Sequence, residues 1–190
     1  MPENQSLKNQ LTLALISGIV YFFMGIPETV VEFIRKDGFI SDSAIPIVTT
    51  VYLIGLISAI GFGWGFVVLG RKHENPMLWL SALLLIFSNV FFTGYDMASL
   101  HYDAVERGAV LLMDAIFSGT LCILFGVGLL RLKTEYGSVA QISGILEIIA
   151  GISLILVLTF LIGLIVLIPA TLFEIFLIHQ ATKKRCESSS

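Results

Sequence analysis

The sequence predicts an all-α polytopic membrane protein: one six-helix transmembrane bundle with short loops and both termini in the cytoplasm. Three observations lead there. Of the 190 residues, 56% are hydrophobic and 13% charged, and the mean hydropathy is +0.94, which excludes a soluble globule of this size. The apolar runs are long enough to cross a hydrocarbon core of about 30 Å, which takes about 20 helical residues. The basic residues then fall mainly on one side of the topology those runs imply.

Residues 1–10 form a short polar segment with Lys8. The first span, about 11–34, is too long for the apolar region of a cleaved signal, and no small-residue cleavage site follows it, so it is read as uncleaved. Gly18, Gly25, Glu28 and Glu32 share one face of it, with Pro27 starting its final turns. Glu28 lies deeper and is the better functional candidate. Glu32, close to Arg35 and Lys36, suits an interfacial ion pair. Asp37-Gly38 marks a turn, and the second span, about 44–69, carries Gly61 and Gly65 as a GxxxG pair that admits a close neighbour.

A basic turn, Arg71 to Pro76, leads into span three, about 77–97, with Trp79 as an interfacial anchor and Asn89 as its one strongly polar interior residue. The connection from Gly94 to Gly108 is the longest and is acidic and aromatic. Within it, Asp96, His101 and Asp103 are secondary site candidates with metal-ligating side chains, although an acidic solvated loop accounts for them with fewer assumptions. Span four, about 109–130, holds Asp114 two turns in, with Ser118 and Cys122 continuing its face and Gly119 and Gly126 forming a close-packing stripe.

The stretch 137–182 is nearly all apolar apart from Glu147 and Glu174. Even a helix tilted by about 40° needs only about 26 residues to cross, so this stretch is read as two spans, about 139–158 and 164–181, turning near Thr159–Gly163. The two glutamates lie equally far from that turn and share one depth. Gly144 and Gly151 flank Glu147 on its own face, so it is expected to face protein. A charged side chain at mid-depth costs at least about 2.5–3.5 kcal/mol on insertion scales, and a protonated one much less, so the pair is expected to share a proton. Thr171 lies on the face of Glu174, and Pro169 loosens the turn before it.

With six spans and the N-terminus inside, Lys8, Arg71, Lys72, Arg131, Lys133, Lys183, Lys184 and Arg185 lie inside, and Arg35, Lys36 and Arg107 outside. This obeys the positive-inside rule, whereas a single crossing of 137–182 would reverse it. Residues 183–190 become a cytoplasmic tail. Glu28 and Asp114 then lie near the outer surface and Glu147 and Glu174 in the inner half, with no lysine or arginine inside the spans to neutralise them.

Cys122 and Cys186 are the only cysteines, so there is no disulfide framework and no metal-ligand cysteine spacing, and no cofactor is expected. No basic patch interleaved with aromatics points to nucleic acid. The partners expected are the lipid bilayer, a proton, cation or small lipid-soluble ligand, and a second copy or other membrane helices. Catalysis fits poorly, because His73, His101 and His179 are too scattered to assemble nucleophile, base and orienter. A metal-assisted, lipid-acting enzyme using His101 and Asp103 with Glu28 or Asp114 is the lesser alternative.

Two similarities add to this reading. Ile26-Pro27-Glu28-Thr29-Val30-Val31-Glu32 echoes Ile168-Pro169-Ala170-Thr171-Leu172-Phe173-Glu174, which a transporter-like inverted repeat would produce. The run Gly18-Ile-Val-Tyr-Phe-Phe-Met-Gly25 ending in Glu32-Phe33, the segment Phe125–Leu130, the run Ile145–Gly151 and Pro169-x4-Glu174 resemble an uncharacterised family of six-span bacterial membrane proteins, a domain of unknown function. The resemblance implies a bacterial inner-membrane location and transfers no activity.

The sharper functional expectation is a small proton- or cation-coupled carrier using Glu28, Asp114, Glu147 and Glu174. The alternative is a non-catalytic protein that binds lipid or partner helices, its acids serving as hydrogen-bonding glue.

Overall fold

A computed structural model describes the backbone of residues 2–37, 41–100, 107–156 and 160–187, and the side chains of 5–31, 34, 41–100, 109–156 and 162–183. The described chain forms α1 (Pro2–Asp37), α2 (Ile45–Lys72), α3 (Pro76–Ala98), α4 (Arg107–Leu130), the single-turn α5 (Lys133–Tyr136), α6 (Ser138–Ile155) and α7 (Phe160–Glu187). Six of these are long and apolar enough to cross a membrane. The protein is an all-α six-helix bundle and a multi-pass membrane protein.

Each long helix packs mainly on its neighbours in sequence, and α1 also packs on α7. The six helices therefore close into an up-and-down ring in which every adjacent pair is antiparallel. Ile57, Phe87, Phe91, Met113 and Ile165 are among many large apolar side chains exposed on the outside. Outside a membrane they would form a hydrophobic patch far larger than a soluble protein exposes.

Small residues set the tightest contact, between α4 and α6. A Cβ added to Gly126 would lie 2.7 Å from the carbonyl oxygen of Gly144, and one added to Gly119 would lie 2.8 Å from that of Gly151. Each helix carries its two glycines seven residues apart, so the antiparallel pairing clasps twice, two turns apart, and Glu147 lies between the clasps. Dispersion contacts and close backbone approach drive such pairing in lipid, where burying apolar surface gains little.

At the end of the ring where both termini lie, an apolar plug fills the interior. Leu11, Phe66, Leu69, Leu78, Leu129 and Ile178 are among its members, drawn from α1, α2, α3, α4 and α7 and all fully or almost fully buried. Asn75 braces this end. Its side chain accepts from Leu78 N (3.3 Å), capping α3, while its amide donates to the Gly128 carbonyl at 2.7 Å. Pro76 at the first helical position completes the start signal. His73 and Tyr136 hydrogen-bond at 3.1 Å beside it, and Arg71 lies over the rings of Trp79 and Trp64, 5.6 and 6.0 Å from their centroids.

The helix limits refine the sequence reading in several places. Asp96, which the sequence reading counted both in the span 77–97 and in the connection from Gly94, belongs to α3, which runs on to Ala98. Between Leu130 and Ser138 the chain makes the extra turn α5 and leaves it through Gly137, whose φ of 62° suits glycine. Of the turn expected at Thr159–Gly163, Thr159 lies outside the described residues and Phe160 to Gly163 already belong to α7, while α6 ends at Ile155. Gly163 is buried within α7, where a Cβ would lie 3.2 Å from the Ala150 carbonyl oxygen. In apolar sequence lacking Pro, Asn or Asp, this glycine serves close packing rather than a turn.

Candidate functional site

The ring encloses a central cavity of about 290 Å³ to which all six transmembrane helices contribute. Helical periodicity aims its polar groups. On α4, Asp114, Ser118, Cys122 and Phe125 follow at intervals of four, four and three residues and line the cavity in that order. On α3, Asn89, Thr93 and Asp96 keep the same spacing, and on α7 Thr171 and Glu174 do so.

Aromatic rings form the floor. Tyr21 of α1, Phe62 and Phe66 of α2 and Phe125 of α4 follow one another with centroid separations of 6.1, 5.3 and 5.0 Å. The last two contacts are edge-to-face, a favoured aromatic geometry. Phe66 and Phe125 meet across the ring, joining helices that are not neighbours in it, and the apolar plug lies behind them.

Glu147 and Glu174 sit just above this floor. Glu147 is 4% and Glu174 5% exposed, and their carboxyl groups hydrogen-bond to each other across α6 and α7. Two carboxylates have no donor between them, so this contact requires a proton held by the pair. The Cys122 thiol donates to Glu147 from α4. The other oxygen of Glu174, Oε1, is buried with no hydrogen-bond partner among the described residues.

Away from the floor the cavity becomes more exposed. Asn89, Asp96, Asp114 and Ser118 are half-buried, in contrast to the two glutamates. Ser118 Oγ donates to Asp114 Oδ1 at 2.7 Å and lies 3.3 Å from Ser88 Oγ. From Asp114 to Cys122 is eight residues of one helix face, about 12 Å. A ladder of hydroxyl, thiol and carboxyl groups thus runs from the half-exposed aspartates to the buried pair.

The sequence candidates divide accordingly. Asp114, Glu147 and Glu174 line the cavity together, and Asp96 joins them because α3 continues through it. Glu28 does not. Its carboxyl lies against Gly55 in the interface of α1 with α2, where a Cβ on Gly55 would overlap it. Glu28 and Asp114, both placed near the outer surface by the sequence, therefore do not line one site, because depth says nothing about which way around the helix a side chain points. The side chains of Glu32, His101 and Asp103 lie outside the described residues. His73 bonds Tyr136 at the plugged end, and His179 is exposed on α7.

The ring contributes Tyr21, Phe62 and Phe66 to the site, and none of them stood out in the sequence. The i, i+4 pair Phe62/Phe66 was a legible signal, and so was the Asn89–Thr93–Asp96 stripe. In the echo between residues 26–32 and 168–174 the acid equivalent to Glu174 is Glu32, whose side chain lies outside the described residues, while Glu28 is matched by Ala170. Comparison of the chain with protein-family models, curated proteins and solved structures finds no match.

Proposed function

We propose that this membrane protein is a small proton- or cation-coupled carrier whose working site is the central cavity, with the Glu147/Glu174 pair as its proton-holding group. One observation carries this reading: a carboxyl pair that needs a proton to close lies at the foot of a polar ladder inside a cavity lined by every transmembrane helix. Intramembrane acids facing a cavity are the usual form of a proton relay. Asp96 and Asp114 supply the entrance, and Ser118, Ser88 and Cys122 supply relay groups that both donate and accept.

The plugged end gives the cycle a closed gate. Arg71, Lys72, Arg131, Lys133 and Lys183 are exposed at that end, so under the positive-inside rule it faces the cytoplasm and the cavity loads from the opposite side. That orientation suits the bacterial inner membrane implied by the family resemblance. Release to the cytoplasm requires Phe66 and Phe125 to part, as rocking of one group of helices against another achieves in carriers.

The second reading, acids as structural glue, draws on the bridge that Glu147 makes to α4 and α7 through Cys122 and Glu174. Flux separates the two. Purified protein in liposomes under a pH gradient is expected to carry proton flux that is lost in the Glu147→Gln/Glu174→Gln variant while its thermal unfolding midpoint stays unchanged. Equal flux in the two proteins overturns the carrier reading and leaves the glue.

A further inference from the structure

The surroundings of the carboxyl pair narrow the class of substrate. The titratable groups facing the cavity are Tyr21 from α1, Asp96 from α3, Asp114 and Cys122 from α4, Glu147 from α6 and Glu174 from α7, and among the described residues no lysine, arginine or histidine lines it. Among these residues a ligand meets only groups that are neutral or negative. They offer an anion no partner, so the charge that fits them is positive.

The acids do not converge on a point. Among the described residues no three His, Cys, Asp or Glu side chains come together as a metal-binding set, whereas a divalent ion in an oxygen site needs several ligands at once. The cavity instead offers separated carboxyls and a wall of five aromatic rings, Tyr21, Phe62, Phe66, Phe92 and Phe125. Aromatic faces attract a diffuse ammonium charge and also pack its apolar substituents. Its volume of about 290 Å³ lies at the small end of ligand pockets, which run to about 300–1,000 Å³. Glu174 lines the same cavity, and its Oε1 is buried without a partner among the described residues.

We infer, resting on the carrier reading above, that the cavity binds a small monovalent organic cation, an amine or quaternary ammonium with apolar substituents, in exchange for the proton shared by Glu147 and Glu174. The exchange breaks the carboxyl O–H bond and forms no bond to the cation. The proton leaves to solvent as the cation arrives, so the charge of the cavity stays constant. A hydrophobic ammonium reaches the floor at low desolvation cost, whereas a small inorganic cation must give up its water to rings that replace little of it.

The test uses benzyltrimethylammonium and its neutral isostere neopentylbenzene on the full-length protein in weakly buffered detergent, with calorimetry for binding and a pH dye for protons. The cation is expected to bind at least about tenfold tighter than the isostere, with about one proton released per cation bound. Glu174→Gln, with elution and unfolding midpoint unchanged, is expected to abolish the release. Phe92→Leu is expected to weaken the cation about threefold and leave proton release intact.

Equal affinity for the two probes, binding without proton release, or release that persists in Glu174→Gln overturns the inference. Carboxylate-dependent proton flux in liposomes with no cation binding overturns it and leaves the carrier reading standing. Loss of both the flux and the binding removes the two together.

Discussion

The two ends of the ring are built from the same apolar helices and do opposite things with them. At the end holding the termini, Leu69, Leu78, Leu129 and Leu177 pack together and leave no exposed surface, and Asn75 ties α3 to α4 by donating to the Gly128 carbonyl while it caps α3. Toward the other end the helices still touch their neighbours, but Asn89, Asp96, Asp114 and Ser118 line a space instead of filling it. Stability is concentrated where side chains interdigitate, and the site lies where they do not, because a cavity that admits a ligand forgoes the dispersion contacts that packing would supply.

Substitutions at the two ends should therefore differ in what they damage. The largest loss of stability is expected for Phe66→Ala, which empties the junction of plug and floor. Large-to-small changes of this kind cost about 3–5 kcal/mol, read as a lowered midpoint in denaturant titration of the detergent-solubilised protein. The same variant opens the floor and should make liposomes leak protons without any carrier cycle. A stable, tight Phe66→Ala would break the distinction between plug and cavity.

Asn75→Ala follows. It removes the α3 cap and leaves the buried Gly128 carbonyl without its donor, a loss of about 1–3 kcal/mol, with flux per folded molecule unchanged. Glu147→Gln should show the reverse profile. Its amide still bonds Glu174, so unfolding shifts by less than about 1 kcal/mol, while carboxylate-dependent flux disappears. The smallest effect is expected for Ser118→Ala, about 0.6 kcal/mol by the average for hydrogen bonds between membrane helices, with flux reduced but measurable. If Ser118→Ala matched Glu147→Gln in flux, the ladder and not the pair would limit transport.

Much of the fold was legible because crossing a membrane is a one-dimensional constraint. Length, hydropathy and the placement of lysine and arginine count spans without reference to packing, and the six spans of the structure follow those counts. The meeting of Glu147 with Glu174 was legible for a related reason, since two residues equally far from a hairpin turn share a depth. The paired glycines on α4 and α6 gave the helix contact the same kind of signature. Asp96 was counted both in span three and in the connection after it, because acidic and aromatic residues at a span's end resemble a solvated connection. Gly163 was misread as a turn because glycine serves tight turns and tight helix contacts equally well.

The sequence by itself determined that this chain lives in a bilayer, that it crosses six times, and that its acids lie within the crossings. Only the tertiary structure decided that the helices close into a ring, that Glu28 leaves the axis while Asp96 joins it, and that aromatic rings seal one end of a cavity. The physical reason is rotational. Hydropathy fixes how deep a residue sits, but in lipid both faces of a span are apolar, so the direction a side chain points is settled only by the neighbours that the helix finds.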